Sequence, residues 1–174
     1  MRALGPGSVS SFLKIILDVV FAALWIALGD VTLALLGALL FSFNAHLFPD
    51  FLVKNAATVA IRGPLFAGVL LVIGLSVGGV LVIVHSLRRI FMTLMAGDPF
   101  HPTNVGRLRL IGLMLAALEV GRYCVWGLSP FMPGVARIQP NLNLTAWFSV
   151  LVVFVLAEVF REGARLRREA ELTI

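Results

Sequence analysis

From Pro64 to Val84 the chain carries not one ionisable side chain. Crossing a hydrocarbon core about 30 Å thick takes roughly 20 mostly apolar residues at 1.5 Å rise each, and this run meets that need without interruption. Three other stretches come close to or exceed it, so spans are predicted at about 13–41, 64–87, 106–128 and 144–161. Composition agrees: of 174 residues, 60% are hydrophobic and 13% charged, with a mean hydropathy of +1.01. A soluble domain carries about 25% charged residues. The fold class expected is therefore all-α, an integral membrane four-helix bundle forming a single membrane domain over 1–174. Most soluble-enzyme readings are excluded.

The first stretch is interrupted by Asp18 and Asp30 and is too long for one untilted span, which leaves its register open. Its apolar part is also too long for a signal peptide and lacks a small-residue cleavage site, so it reads as a retained helix. The second stretch holds Gly68, Gly74, Gly78 and Gly79, small residues that let another backbone approach closely. Glu119 and Arg122 lie in the third, and Glu158 at the end of the fourth.

Lys plus Arg number 14 against nine Asp plus Glu, a net charge of +5, and the excess is clustered. Arg2 and Lys14 precede the first span. Arg88, Arg89, Arg107 and Arg109 flank the loop at 88–105, and Arg161, Arg165, Arg167 and Arg168 follow the fourth span. The opposite side holds only Lys54 and Arg62 in one segment and Arg137 in the other. Positive residues mark the inner side, so both termini, the loop at 88–105 and the tail at 162–174 are expected in the cytoplasm of a multi-pass protein of the cell inner membrane. The basic excess is a topology signal and implies no direct nucleic-acid binding. Outside, 44–63 can lie at the membrane surface as a short amphipathic helix. Residues 129–143, with Pro130, Pro133, Gly134 and Pro140, read as a loop ending in a cap at Asn143 or Thr145.

A charge at the bilayer centre costs about 2.5–3.5 kcal/mol on insertion scales, so each must be paired, interfacial or functional. At 1.5 Å per residue, Arg122 lies about 20 Å up its helix and Asp30 about 24 Å up the first, near the outer surface, where they could pair. Glu119, three positions before Arg122, offers a second partner. Asp18 shares a depth with Lys14, His85 and Arg88, and Glu158 sits beside Arg161 near the cytoplasmic end. One reading is a proton or ion pathway through Asp30, Glu119, Arg122 and Glu158. The other, preferred because a relay would have a gap at mid-depth, is two interfacial layers of ion pairs that fix helix register.

Catalytic signals are lacking. His46, His85 and His101 share no metal-ligand spacing, Cys124 is the single cysteine, no catalytic Ser motif is present, and Gly78-Gly79 is a packing feature rather than a nucleotide loop. No enzyme activity, cofactor or metal is expected.

The most organised polar sequence faces the cytoplasm. The second helix is predicted to run on past Arg88-Arg89 as an amphipathic turn or two, stop at Gly97 and turn through Asp98-Pro99, with Thr103 or Asn104 capping the third helix. Phe100 either plugs the floor of the bundle, the preferred reading, or stands out as a docking residue. After the fourth span, Arg161, Arg165 and Arg168 form a stripe at i, i+4, i+7. Such a basic helix suits anionic lipid headgroups, while Leu166, Ala170, Leu172 and Ile174 offer an apolar edge to a soluble partner.

At Gly97-Asp98-Pro99-Phe100 with Asn104 and Arg107-Leu108, and at Val159-Phe160-Arg161-Glu162-Gly163-Ala164-Arg165-Leu166 with Glu171-Leu172-Thr173-Ile174, the chain resembles a bacterial and archaeal membrane family catalogued as domain of unknown function 2975. The resemblance covers most of the chain. It implies a four-helix integral membrane protein with no established enzyme activity, of a kind often encoded beside a small cytoplasmic helix-turn-helix regulator of the Xre type. The family pattern marks Gly97, Pro99, Phe100, Asn104, Arg107, Gly163, Leu166, Leu172 and Thr173 and assigns no role to any of them.

Two functions follow as expectations. The leading one is a membrane-bound regulatory partner that holds a cytoplasmic helix-turn-helix regulator through Gly97, Asp98, Pro99, Phe100, Asn104 and Arg107 of the loop and Arg161, Arg165, Leu166, Arg168 and Leu172 of the tail. The alternative is a small transporter or ion-conducting homo-oligomer that uses Glu119, Arg122 and Asp30 and associates through the glycine face of the second span. A lipid-binding or structural subunit is the default if both fail.

Overall fold

A computed structural model describes residues 9–43, 63–128 and 142–172 of the chain. The surface helix expected within 44–62, the outer loop at 129–141 and the terminal Thr173 and Ile174 lie outside the described residues. Four helices account for the regular structure, α1 (Val9–Phe43), α2 (Gly63–Met95), α3 (Pro102–Leu128) and α4 (Leu144–Leu172), with no strand among the described residues.

Three of the helices are long and apolar enough to cross a membrane, over Phe12–Leu40, Ala67–Met95 and Leu144–Ala170. Inside hydrocarbon a peptide group finds no water, and an α-helix satisfies each one within its own segment. Side-chain hydroxyls follow the same rule: Thr32 donates to the Leu28 carbonyl at 2.6 Å and Ser76 to that of Val72 at 2.8 Å. The third expected span, 106–128, is present as a helix but is not among the three. Arg107, Arg109, Glu119 and Arg122 all lie on α3 and dilute its apolar content.

Helix ends are set locally. At the end of α2 the Gly97 amide donates to the Leu94 carbonyl and the Asp98 amide to that of Thr93, each at 3.0 Å, while Gly97 takes φ of +80°. This is a Schellman closure, which requires the left-handed conformation that glycine adopts without steric cost. The helix thus stops just before Gly97, as the sequence predicts. The expected cap of α3 at Thr103 or Asn104 is corrected: His101 Nδ1 accepts the Thr103 amide at 3.3 Å, and the Asn104 amide donates to the His101 carbonyl at 2.9 Å. Pro102 takes the first helical position because its missing N–H needs no partner there. At α4 the Asn143 side chain does cap, with Oδ1 accepting the Ala146 amide at 3.2 Å. The tail expected at 162–174 is not a separate helix, since α4 runs unbroken from Leu144 to Leu172.

By contacts the chain forms two compact units, one of Met1–Ala22 with Gly79–Ile174 and the other of Ala23–Gly78. In the first, the core is Ile90, Leu108, Ile111 and Ala157, flanked by Ile83, Leu115, Val153 and Phe160. Close helix approach depends on small residues. A Cβ on Gly112 would lie 3.0 Å from the Phe154 ring, which sets the separation of α3 and α4. The buried set also includes Ser86, Asn104 and Glu119, whereas many large apolar side chains are exposed. In the second unit Val31 packs at Gly74, and Leu33 and Leu75 are each 69% exposed, a distribution suited to lipid rather than water.

Replacing Gly97 with Ala forces a left-handed backbone on a residue with a Cβ. The expected result is a loss of about 1 kcal/mol in stability with α-helical content retained, read from thermal unfolding of the purified protein in detergent by circular dichroism.

Candidate functional site

The loop between α2 and α3 is built around Asn104, which is fully buried. Its Nδ2 donates to Thr93 Oγ1 at 2.7 Å and to the Pro99 carbonyl at 3.1 Å, and its Oδ1 accepts from Arg107 Nη1 at 3.0 Å. Thr93 in turn donates to the Ile90 carbonyl at 2.7 Å, and Arg107 Nη1 reaches the Arg89 carbonyl at 3.1 Å. Every polar atom of the Asn104 side chain is thus used, which is the condition for burying an amide without penalty. Two residues singled out from sequence, Asn104 and Arg107, therefore tie the loop to α2.

Phe100 turns toward the chain's own α4. Its ring lies 5.5 Å from that of Phe160, tilted by 55°, and a Cβ on Gly163 would stand 2.6 Å from ring carbons. Only glycine at 163 leaves room for that ring. Asp98 forms an ion pair with Arg167 of α4. The two polar segments singled out in the sequence are thereby brought together, through Phe100 on Gly163 and Phe160 and through Asp98 with Arg167.

Beyond this latch α4 is accessible. Residues 165–170 are all exposed, with Leu166 at 55% and Leu172 at 87%. Arg165 pairs along the helix with Glu162 at 2.9 Å and Glu169 at 3.3 Å, Arg161 pairs with Glu158, and Arg168 Nε donates to the Ala164 carbonyl at 3.4 Å. Exposed pairs of this type contribute well under 1 kcal/mol each, so the stripe keeps its charge available to a ligand.

The charges expected within the membrane sort, Asp30 apart, into pairs within the first unit. Arg88 meets Asp18 at 2.6 Å, with its guanidinium 4.3 Å from the centroid of the Phe21 ring, and Arg109 approaches Glu158 at 3.9 Å. Glu119 is held by Arg122 through both carboxylate oxygens and by the Tyr123 hydroxyl, which donates at 2.9 Å. Trp147 Nε1 donates to that hydroxyl at 3.2 Å and so joins α4 to the cluster. Asp30 belongs to the second unit and is exposed on α1. Among the described residues no three His, Cys, Asp or Glu side chains are grouped as metal ligands.

Sequence reading missed Thr93, Tyr123, Trp147 and the role of Arg167. Thr93 and Asn104 are 11 positions apart across a turn, and Trp147 and Tyr123 are 24 apart on different helices, so no helical spacing announces either contact.

Asn104→Ala should lower stability by about 2 kcal/mol, because it removes the partners of Thr93, the Pro99 carbonyl and Arg107 at once. Gly163→Leu should instead leave the helices intact and drive Phe100 off α4. Limited proteolysis of the loop at 96–101, compared with the wild type, reads the difference: faster loop cleavage with unchanged helical content is expected for Gly163→Leu.

No curated protein and no solved structure matches the chain. A family model described as "Protein of unknown function (DUF2975)" matches residues 39–174, a range that takes in the whole loop and the whole of α4. With most of its length matched in this way, the chain belongs to that family.

Proposed function

We propose that the protein is a multi-pass protein of the cell membrane, with four spans and both termini in the cytoplasm, that holds a soluble helix-turn-helix transcription regulator at the membrane. The observation that carries this reading is the continuity of α4. An apolar span passes without a break into an exposed, charged helix, and the Gly97–Arg107 loop braces it through Phe100 and Asp98. A braced helix pays little ordering entropy on binding, which favours a partner that reads one helix face.

The partner surface on this reading is Arg161, Arg165, Leu166, Arg168 and Leu172, all exposed. Gly97, Asp98, Pro99, Phe100, Asn104 and Arg107 act behind it by fixing its direction. Holding the regulator at the membrane lowers its access to DNA. Placing α3 across the bilayer as the fourth span accords with its charges, since Glu119 and Arg122 neutralise each other and Arg107 and Arg109 stand at the end nearest the loop. The satisfied state of Glu119 supports a structural part for that carboxylate rather than one in ion conduction.

Affinity purification from native membranes in mild detergent, with the full chain and with a form lacking residues 165–174, tests the proposal. A helix-turn-helix protein recovered with the full chain and lost with the truncated one is expected. Phe100→Ala should weaken recovery by several-fold without abolishing it. Recovery of the same regulator with both forms, or of only the protein and lipid with either, overturns the proposal.

A further inference from the structure

Most described cations already have a carboxylate: Arg88 has Asp18, Arg109 has Glu158, Arg122 has Glu119, Arg161 has Glu158, Arg165 has Glu162 and Glu169, and Arg167 has Asp98. Lys14, Arg89, Arg107 and Arg168 have none among the described residues, and of these Arg89 and Arg107 are neighbours. Arg107 Nη1 donates to the backbone carbonyl of Arg89 itself, so the guanidinium of Arg107 lies against the α2 backbone at Arg89. Both hydrogen bonds of Arg107 use Nη1, to the Arg89 carbonyl and to Asn104 Oδ1, which leaves Nε and Nη2 to other acceptors. Arg89 is exposed and Arg107 half-buried.

We infer that Arg89 and Arg107 together bind the phosphate of an anionic phospholipid headgroup. Two planar guanidiniums offer the forked donor geometry that phosphate oxygens accept, and two adjacent cations with no carboxylate between them call for an anion. Their level argues for a lipid source. Arg89 lies near the end of an apolar helix, whose candidate span runs over Ala67–Met95, and Leu110, one turn past Arg107 on α3, is exposed beside it for acyl-chain contact. Asn104 fixes Arg107 from the protein side, so one half of the site is held in place before the lipid arrives. The inference rests on the membrane reading of the helices and is independent of the regulator.

The test uses full-length protein in a neutral detergent, titrated with phosphatidylglycerol, phosphatidylcholine or inorganic phosphate and read by native mass spectrometry. Arg89→Gln keeps the Arg89 carbonyl, and with it the Arg107 and Asn104 hydrogen bonds, so the loop fold is retained. It should weaken phosphatidylglycerol binding about fivefold, equivalent to about 1 kcal/mol for one basic residue at a membrane surface. Arg109→Gln, at a cation that already has a carboxylate, should leave it within twofold. Arg107→Gln should weaken binding at least as far as Arg89→Gln, with thermal unfolding run alongside to confirm a folded sample. Equal phosphatidylglycerol affinity for the wild type and Arg89→Gln overturns the inference. So does phosphatidylcholine binding as tightly as phosphatidylglycerol, or inorganic phosphate binding as tightly as the lipid, the latter marking a site for a free anion.

Discussion

Hydrocarbon offers no hydrogen bond to a peptide group, and the rest of this structure depends on that constraint. Over Phe12–Leu40, Ala67–Met95 and Leu144–Ala170 the backbone satisfies itself as helix, and many of the apolar side chains are left outward. Association between such helices cannot draw on a hydrophobic effect, because lipid tails are as apolar as leucine. Beside the aliphatic core of Ile90, Leu108 and Ile111, what is buried is small or polar: Ala157, Ala164, Ser86, Asn104 and Glu119. Gly112 under Phe154 and Gly163 under Phe100 belong to the same logic, since van der Waals contact at short range must do what burial does in water.

Polar burial in this setting has to be complete to be tolerable. Asn104 meets the condition with three partners on three stretches of chain, and Glu119 meets it with Arg122 and Tyr123. The two clusters differ in what they join. Asn104 fastens a loop to the helix before it, while the Glu119 cluster reaches α4 through Trp147. Both charges of the Glu119–Arg122 pair come from one helix at an i,i+3 spacing, so neutralisation accompanies helix formation, and the aromatic side chains then register one helix against another.

The proposed partner surface begins where this packing stops. Past Phe160, α4 continues as a helix with charged residues on nearly all sides, and its direction is maintained by side chains from the loop rather than by a core. A helix that is exposed and yet oriented suits recognition. It presents Arg161, Arg165 and Arg168 at fixed intervals without a folding cost at the moment of contact. The neighbouring Arg89 and Arg107, on which the inferred phosphate site rests, are placed differently, at the loop ends of α2 and α3.

The all-helical class, three of the four expected spans, the stop before Gly97, the Asn143 cap and the i,i+3 partners of Glu119 and Glu158 were all legible in the sequence. Each depends on residues within a few positions of one another, or on the mean character of a segment. The sequence pattern also picked out both the loop and the tail, and the family match extends over both. What it left open is what those segments touch. Phe100 reads as a plug by preference, with a docking role still open, until Gly163 is found beneath its ring, and Asn104 reads as a cap until Thr93 and the Pro99 carbonyl are found at its amide. Contacts between helices have no period in the chain. They are set by which faces approach, and that approach is decided by the fit of glycines, alanines and rings in three dimensions.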